Sequence, residues 1–187
     1  MISQIFDRGS FKAIALFSLS PGSRFRRKEI KDRTGMHNVP LDNALSRLVT
    51  SGIIRKEKGI YSVNLDSQFA GQIIAIASSH HKYMRNLPLD VYFLLADIIY
   101  ELSIVRGIEV WLFGSYSKMV YSDKSDIDIA LIMHDDFSKD SIKKAFRKIE
   151  KHYGKKVEEH FFDAQSFYKN KRDPLVKEIL RNGIRLM

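Results

Sequence analysis

The chain has 187 residues, 44% of them hydrophobic and 28% charged, the composition of a globular protein able to bury a core. It contains no cysteine, which excludes disulfides and thiolate metal sites, and no stretch approaches the roughly 20 apolar residues that a membrane span needs. The net charge of +9 is unevenly shared: residues 1–88 hold 14 Lys/Arg against 6 Asp/Glu, a net of +8, and residues 89–187 hold 17 against 16, a net of +1.

In chain order, the amino terminus carries Asp7 ahead of a short apolar run and no small-residue cleavage site. It reads as a first helix, over 11–19, rather than a signal peptide, and a cytoplasmic location is expected. Ser20-Pro21-Gly22-Ser23 stops that helix. A second helix is predicted over 27–34, ended by Gly35, and a third over about 38–51, capped by Asn38. Within the third, Leu41, Ala44, Leu45 and Leu48 recur at helical spacing and form one buried stripe. Residues 53–58 and 60–63 read as two strands about a turn at Gly59.

The two helices joined by Gly35-Met36-His37, followed by a hairpin bearing Arg55, Lys56 and Lys58, resemble a winged helix-turn-helix domain. The resemblance covers about residues 10–65. It implies double-stranded DNA as a partner, met by Asn38, Asn43 and Arg47 of the third helix and by Arg55, Lys56 and Lys58 of the hairpin. The basic balance of this half agrees with a polyanionic partner, while a protein-docking role and a merely solvated basic face stay open.

Two longer helices are predicted over 68–84 and 90–105, broken at Asn86-Leu87-Pro88. The expected organisation is a domain over 1–67, a helical connector over 68–88 and a second domain over 89–187. The second domain alternates: strand 108–113, loop, strand 126–133, helix 139–153, strand 156–162 and helix 173–182, with Asp173-Pro174 to start the last helix and Gly183 to stop it. This pattern gives a small mixed sheet backed by helices, and α+β for the whole chain.

Chemistry concentrates in one stretch. A hydrophobic strand ends in Gly114-Ser115, and ten residues later a second strand begins Asp126-Ile127-Asp128-Ile129. Glycine lets a triphosphate approach the backbone N–H groups, and Ser115 adds a hydroxyl donor. A side-chain period of two turns Asp126 and Asp128 to one face, where two carboxylates call for a cation. Mg²⁺, completed by phosphates and water, is the natural occupant.

GS, ten residues and DxD on apolar strands resemble the DNA polymerase β-like nucleotidyltransferase superfamily, and most of all its minimal nucleotidyltransferases. The resemblance spans roughly 90–187. It implies transfer of a nucleoside monophosphate from an NTP, expected to be ATP, with release of pyrophosphate. It assigns Mg²⁺ to Asp126, Asp128 and a third acid, and the triphosphate to Gly114, Ser115, Lys118 and Ser125. Glu158 and Glu159 are both candidates for the third acid. Glu158 is preferred because alternation turns it to the site if Phe161 faces the core. Met119 stands where relatives usually have Gly. The histidines show no zinc-like cluster. Minimal nucleotidyltransferases are often antitoxins that add AMP to small helical HEPN-type RNase toxins, so a protein acceptor of that kind and repression of its own operon are implied by family analogy. A dimer is expected if the operator is palindromic. The rival reading is a regulator whose transferase-like domain senses a nucleotide or docks a protein without catalysis.

Overall fold

A computed structural model of the chain describes residues 6–80, 82–135 and 138–187, so the sequence readings of residues 1–5 and His81 fall outside it. The contacts divide it into two units, Met1–Phe93 and Leu94–Met187. Among the described residues no helix is long and apolar enough to cross a membrane.

In the first unit, α1 (Arg8–Leu19) begins three residues before the apolar run, because Asp7 caps it. The Asp7 carboxylate accepts the N–H groups of Gly9 and Ser10 and the Ser10 hydroxyl, satisfying donors the helix leaves open. Ser10 to Ser18 are all buried, since α2 (Arg27–Thr34), α3 (Asn38–Thr50) and α4 (Gln68–His80) all pack on α1. Gly35 ends α2 at φ +66°, the left-handed conformation glycine takes freely. The α3 stripe of Leu41, Ala44, Leu45 and Leu48 is buried as its spacing requires. Its N-cap is His37, however, not Asn38. Asn38 is already the first helical residue, and its side-chain oxygen accepts Arg27 Nη2 at 3.4 Å.

The basic cluster before α2 contains a strand that the sequence did not reveal, β1 (Arg24–Arg26). It pairs with β3 (Ile60–Val63), which also pairs with β2 (Ile54–Glu57), giving an antiparallel sheet of order β1-β3-β2. Three residues are too few to show alternation, and only Phe25 turns inward, 5.5 Å from the Phe17 ring. The helix predicted over 68–84 is α4 followed by a 3₁₀ turn, Lys82–Met84. The next helix, α5 (Leu89–Leu102), ends three residues earlier than expected, and the division between the units falls within it.

The second unit is built on β4 (Ile108–Phe113), β5 (Ile127–Met133), β6 (Val157–Asp163) and β7 (Ile184–Arg185), ordered β6-β5-β4-β7. β5 and β6 are parallel, linked by α7 (Lys139–Tyr153), and the other pairs are antiparallel. The sheet is mixed, as the pattern implied. After β4 comes one helical turn, α6 (Gly114–Ser117), and after β6 come α8 (Ala164–Lys169) and α9 (Pro174–Asn182). Phe113, Ala130 and Ile132 of one sheet face form a core with Ala164 and Phe167 of α8 and Val176 and Ile179 of α9. α6, α8 and β7 escaped the sequence reading because each has six residues or fewer and no period to display. α7 packs along β6, and the Tyr153 hydroxyl at its end donates to the Asp97 carboxylate of α5 at 2.7 Å.

Candidate functional site

The antiparallel pairing of β4 with β5 sets Phe113 opposite Asp128. Gly114 follows at φ +72°, and a Cβ there would collide with the Asp128 carboxylate. The glycine expected to make room for phosphate thus also makes room for the acid. The chain then turns through α6 into a loop that is braced at several points. Buried Tyr116 stacks on Tyr121 with ring centroids 4.6 Å apart, Val120 N–H donates to the Ser115 carbonyl, and Ser122 N–H donates to the Ser125 hydroxyl oxygen. Lys118, expected on a phosphate, pairs with Glu178 of α9 at 2.6 Å. Met119 has φ +57°, so a residue with a Cβ occupies backbone that favours glycine.

Asp126 directly precedes β5 and accepts a hydrogen bond from Lys156 Nζ at 2.5 Å. Lys156 also lies 3.9 Å from Glu158. The parallel register places Glu158 beside Asp128 and Glu159 beside Ile129. Partners in a parallel pair share a face, so Glu158 joins Asp128 and Phe162 on the face packed by α8 and α9. Glu159 turns to the other with Phe161, whose ring lies against Lys139 and Lys143 and not in that core, where the sequence led us to expect it. His160 shares the face of Glu158. Its ring meets Phe113 edge-on at 5.2 Å, and its Nε2 lies 3.5 Å from Glu158 Oε1. Asp128, Glu158 and His160 each offer a ligand atom within 4.8 Å of the others.

These neighbours act on the charge of Asp128. Burial pushes its carboxyl above the ordinary value, and repulsion from Glu158 and Asp126 adds to the rise, with His160 and Lys156 opposing it. Two carboxylates forced together with a nitrogen donor beside them are a donor set that a divalent cation fits.

Residues 97–187 match the family described as polymerase beta, nucleotidyltransferase. No curated protein matches the chain. The matched segment supports kinship with the DNA polymerase β-like nucleotidyltransferase superfamily, and it contains Gly114, Ser115, Asp126, Asp128 and Glu158. Two residues of this nucleotidyltransferase-like site, His160 and Lys156, are not among the site residues expected from the sequence, although alternation along the strand sets His160 with Glu158. The alternation that turns Glu158 toward Asp128 turns His160 the same way, so His160 was within reach of the rule. Lys156 lies one residue before β6, where period two gives no guide.

In the first unit, the outer face of α3 exposes Asn38, Asp42, Asn43, Ser46 and Arg47. Several of the expected DNA contacts are engaged within the unit. Arg47 pairs with Asp7 at 2.7 Å and Arg55 with Asp66 at 2.5 Å, while Lys56 Nζ stands 5.5 Å from the Tyr61 ring centroid. Asp42 is held by Arg27. Lys58 and Gly59 form the tip of the β2–β3 hairpin at φ +48° and +79°.

Proposed function

We propose that the chain is a divalent-metal-dependent nucleotidyltransferase whose first unit binds duplex DNA. The observation that carries the enzymatic half is the β5–β6 register, which sets Asp128 and Glu158 together beside the Gly114-Ser115 turn within the matched segment. In this reading Asp126, Asp128 and Glu158 hold Mg²⁺, and backbone N–H groups at Gly114 and Ser115, with the Ser115 and Ser125 hydroxyls, receive the triphosphate of ATP or another NTP. Lys118, whose Nζ pairs with Glu178 at the edge of this loop, stays a candidate contact for a phosphate oxygen. When bound, Mg²⁺ neutralises phosphate charge and polarises the reacting oxygens. Glu158, half exposed, takes the proton of the acceptor oxygen as that oxygen bonds to the α-phosphorus and pyrophosphate leaves.

The DNA-binding half rests on topology and charge. The order α1-β1-α2-α3-β2-β3 with sheet order β1-β3-β2 supports the winged-helix reading, as does the net +8 of residues 1–88. A protein acceptor such as a HEPN-type toxin, with repression of the operon, rests on family analogy alone. Incubation with Mg²⁺, labelled NTPs and cell lysate tests the enzymatic half and the protein acceptor. Label on a protein that disappears with Asp128→Asn supports it. If no molecule gains label and no pyrophosphate is released, the non-catalytic regulator takes its place, a reading that left-handed Met119 in the phosphate loop favours.

A further inference from the structure

Given the nucleotidyltransferase reading, we infer that His160 is an additional metal ligand and shifts the site's preference from Mg²⁺ toward a softer divalent ion such as Mn²⁺. Carboxylates and water suit Mg²⁺, which demands six oxygens in a near-ideal octahedron; an imidazole nitrogen favours transition ions. The donor set here is mixed. Asp128, Glu158 and His160 present two oxygens and one nitrogen, all within 4.8 Å of one another, so small side-chain rotations bring them around one ion. Three features aim the imidazole at that point. Pairing in β6 puts His160 one same-face step from Glu158, the Phe113 ring stands edge-on against it, and its Nε2 is already 3.5 Å from Glu158 Oε1. Asp126 lies outside this trio and is bonded to Lys156, so His160 supplies a third donor close to the other two.

The full chain is titrated by calorimetry with MnCl₂ and with MgCl₂, each alone and with a non-hydrolysable ATP analogue. The Mn²⁺ form is then examined by pulsed electron paramagnetic resonance. The expected result is ¹⁴N modulation from a bound imidazole, absent in His160→Gln. The same variant is expected to lose about tenfold in the ratio of Mn²⁺ to Mg²⁺ affinity while Mg²⁺ binding is little changed. If both ions bind and depend on Asp128, and the Mn²⁺ form shows no nitrogen coupling, His160 is not a ligand and the nucleotidyltransferase reading stands. If neither ion binds even with the analogue, both readings are overturned. A wild type whose Mn²⁺ form shows no nitrogen coupling overturns the assignment whether or not His160→Gln folds, and spectra taken without the analogue exclude adenine as the source of the nitrogen.

Discussion

Asp128 is held in a conflict between burial and charge. Its folded-state carboxyl titrates above its unfolded value, because burial and then Glu158 and Asp126 disfavour the anion. The ionised side chain therefore lowers stability at neutral pH. This penalty is absent below the ordinary carboxylate range and complete above the folded value. Asp128→Asn should raise the melting temperature in EDTA at pH 7, and the gain should vanish as the pH falls below about 4. The same substitution should reduce pyrophosphate release by orders of magnitude, since positioning and charge neutralisation dominate phosphoryl transfer. A mutant no more stable than wild type at pH 7 would contradict the strain, whatever its activity. Met119 offers a second test. It is 41% exposed in a left-handed conformation, so Met119→Gly should relieve strain at little cost in burial. A gain of about 0.5–1 kcal/mol in urea unfolding is expected after the greater entropy of the unfolded glycine chain is set against it.

At the scale of the element, β4 carries a buried acid at the end away from the site. Glu109 is only 9% exposed and bonds with His134 Nε2 and the Tyr168 hydroxyl, both at 2.8 Å, and with Trp111 Nε1 at 3.4 Å. Arg185 of β7 stands 3.4 Å away. Burial alone pushes the Glu109 carboxyl up, but hydrogen bonds from His134 and Tyr168, then the charge of Arg185, bring it below its ordinary value. The network ties β4 to the end of β5, to α8 and to the short edge strand β7. Glu109→Gln should lower stability by about 2 kcal/mol at pH 7, the cost of exchanging a charged acceptor for a neutral one among these donors. Because the folded value lies below the unfolded one, the stabilisation is present above about 4.3 and is lost as the pH falls through the folded value. Chemical denaturation at pH 7 and pH 3 should therefore show the difference closing. None of this was legible in the sequence. An isolated Glu within an apolar strand looks like any solvated residue until His134, Tyr168 and Arg185, 25, 59 and 76 positions away, are brought to it.

For the whole molecule, the split in charge predicts a split in function. DNA affinity should fall steeply with salt, as bound phosphates release counterions. Replacing Arg55, Lys56 and Lys58 together by Ala should weaken binding to every sequence and flatten the slope of log K against log salt by about 3. Transfer activity should be untouched, because these residues belong to the first unit and the carboxylates to the second. Fluorescence titrations at several salt concentrations, with pyrophosphate release measured on the same preparations, check both halves. An unchanged slope would show that the hairpin does not lie on the phosphates.

Local patterns in the sequence were enough to specify the α2 and α3 helices, the hairpin, the strands that carry GS and DxD, and the spacing that joins them. Helical and strand periods, glycine stops and the Asp173-Pro174 start are properties of neighbouring residues, so they survive in one dimension. Tertiary pairing decided the rest. The β5–β6 register selects Glu158 over Glu159 as the neighbour of Asp128 and brings in His160. Long-range ion pairs draw Lys118 to Glu178 and Lys156 to Asp126. Packing gives Gly114 its second duty, clearance for a carboxylate 14 residues along the chain. A side chain's period tells which face it takes, but only the partner strand tells what it meets there.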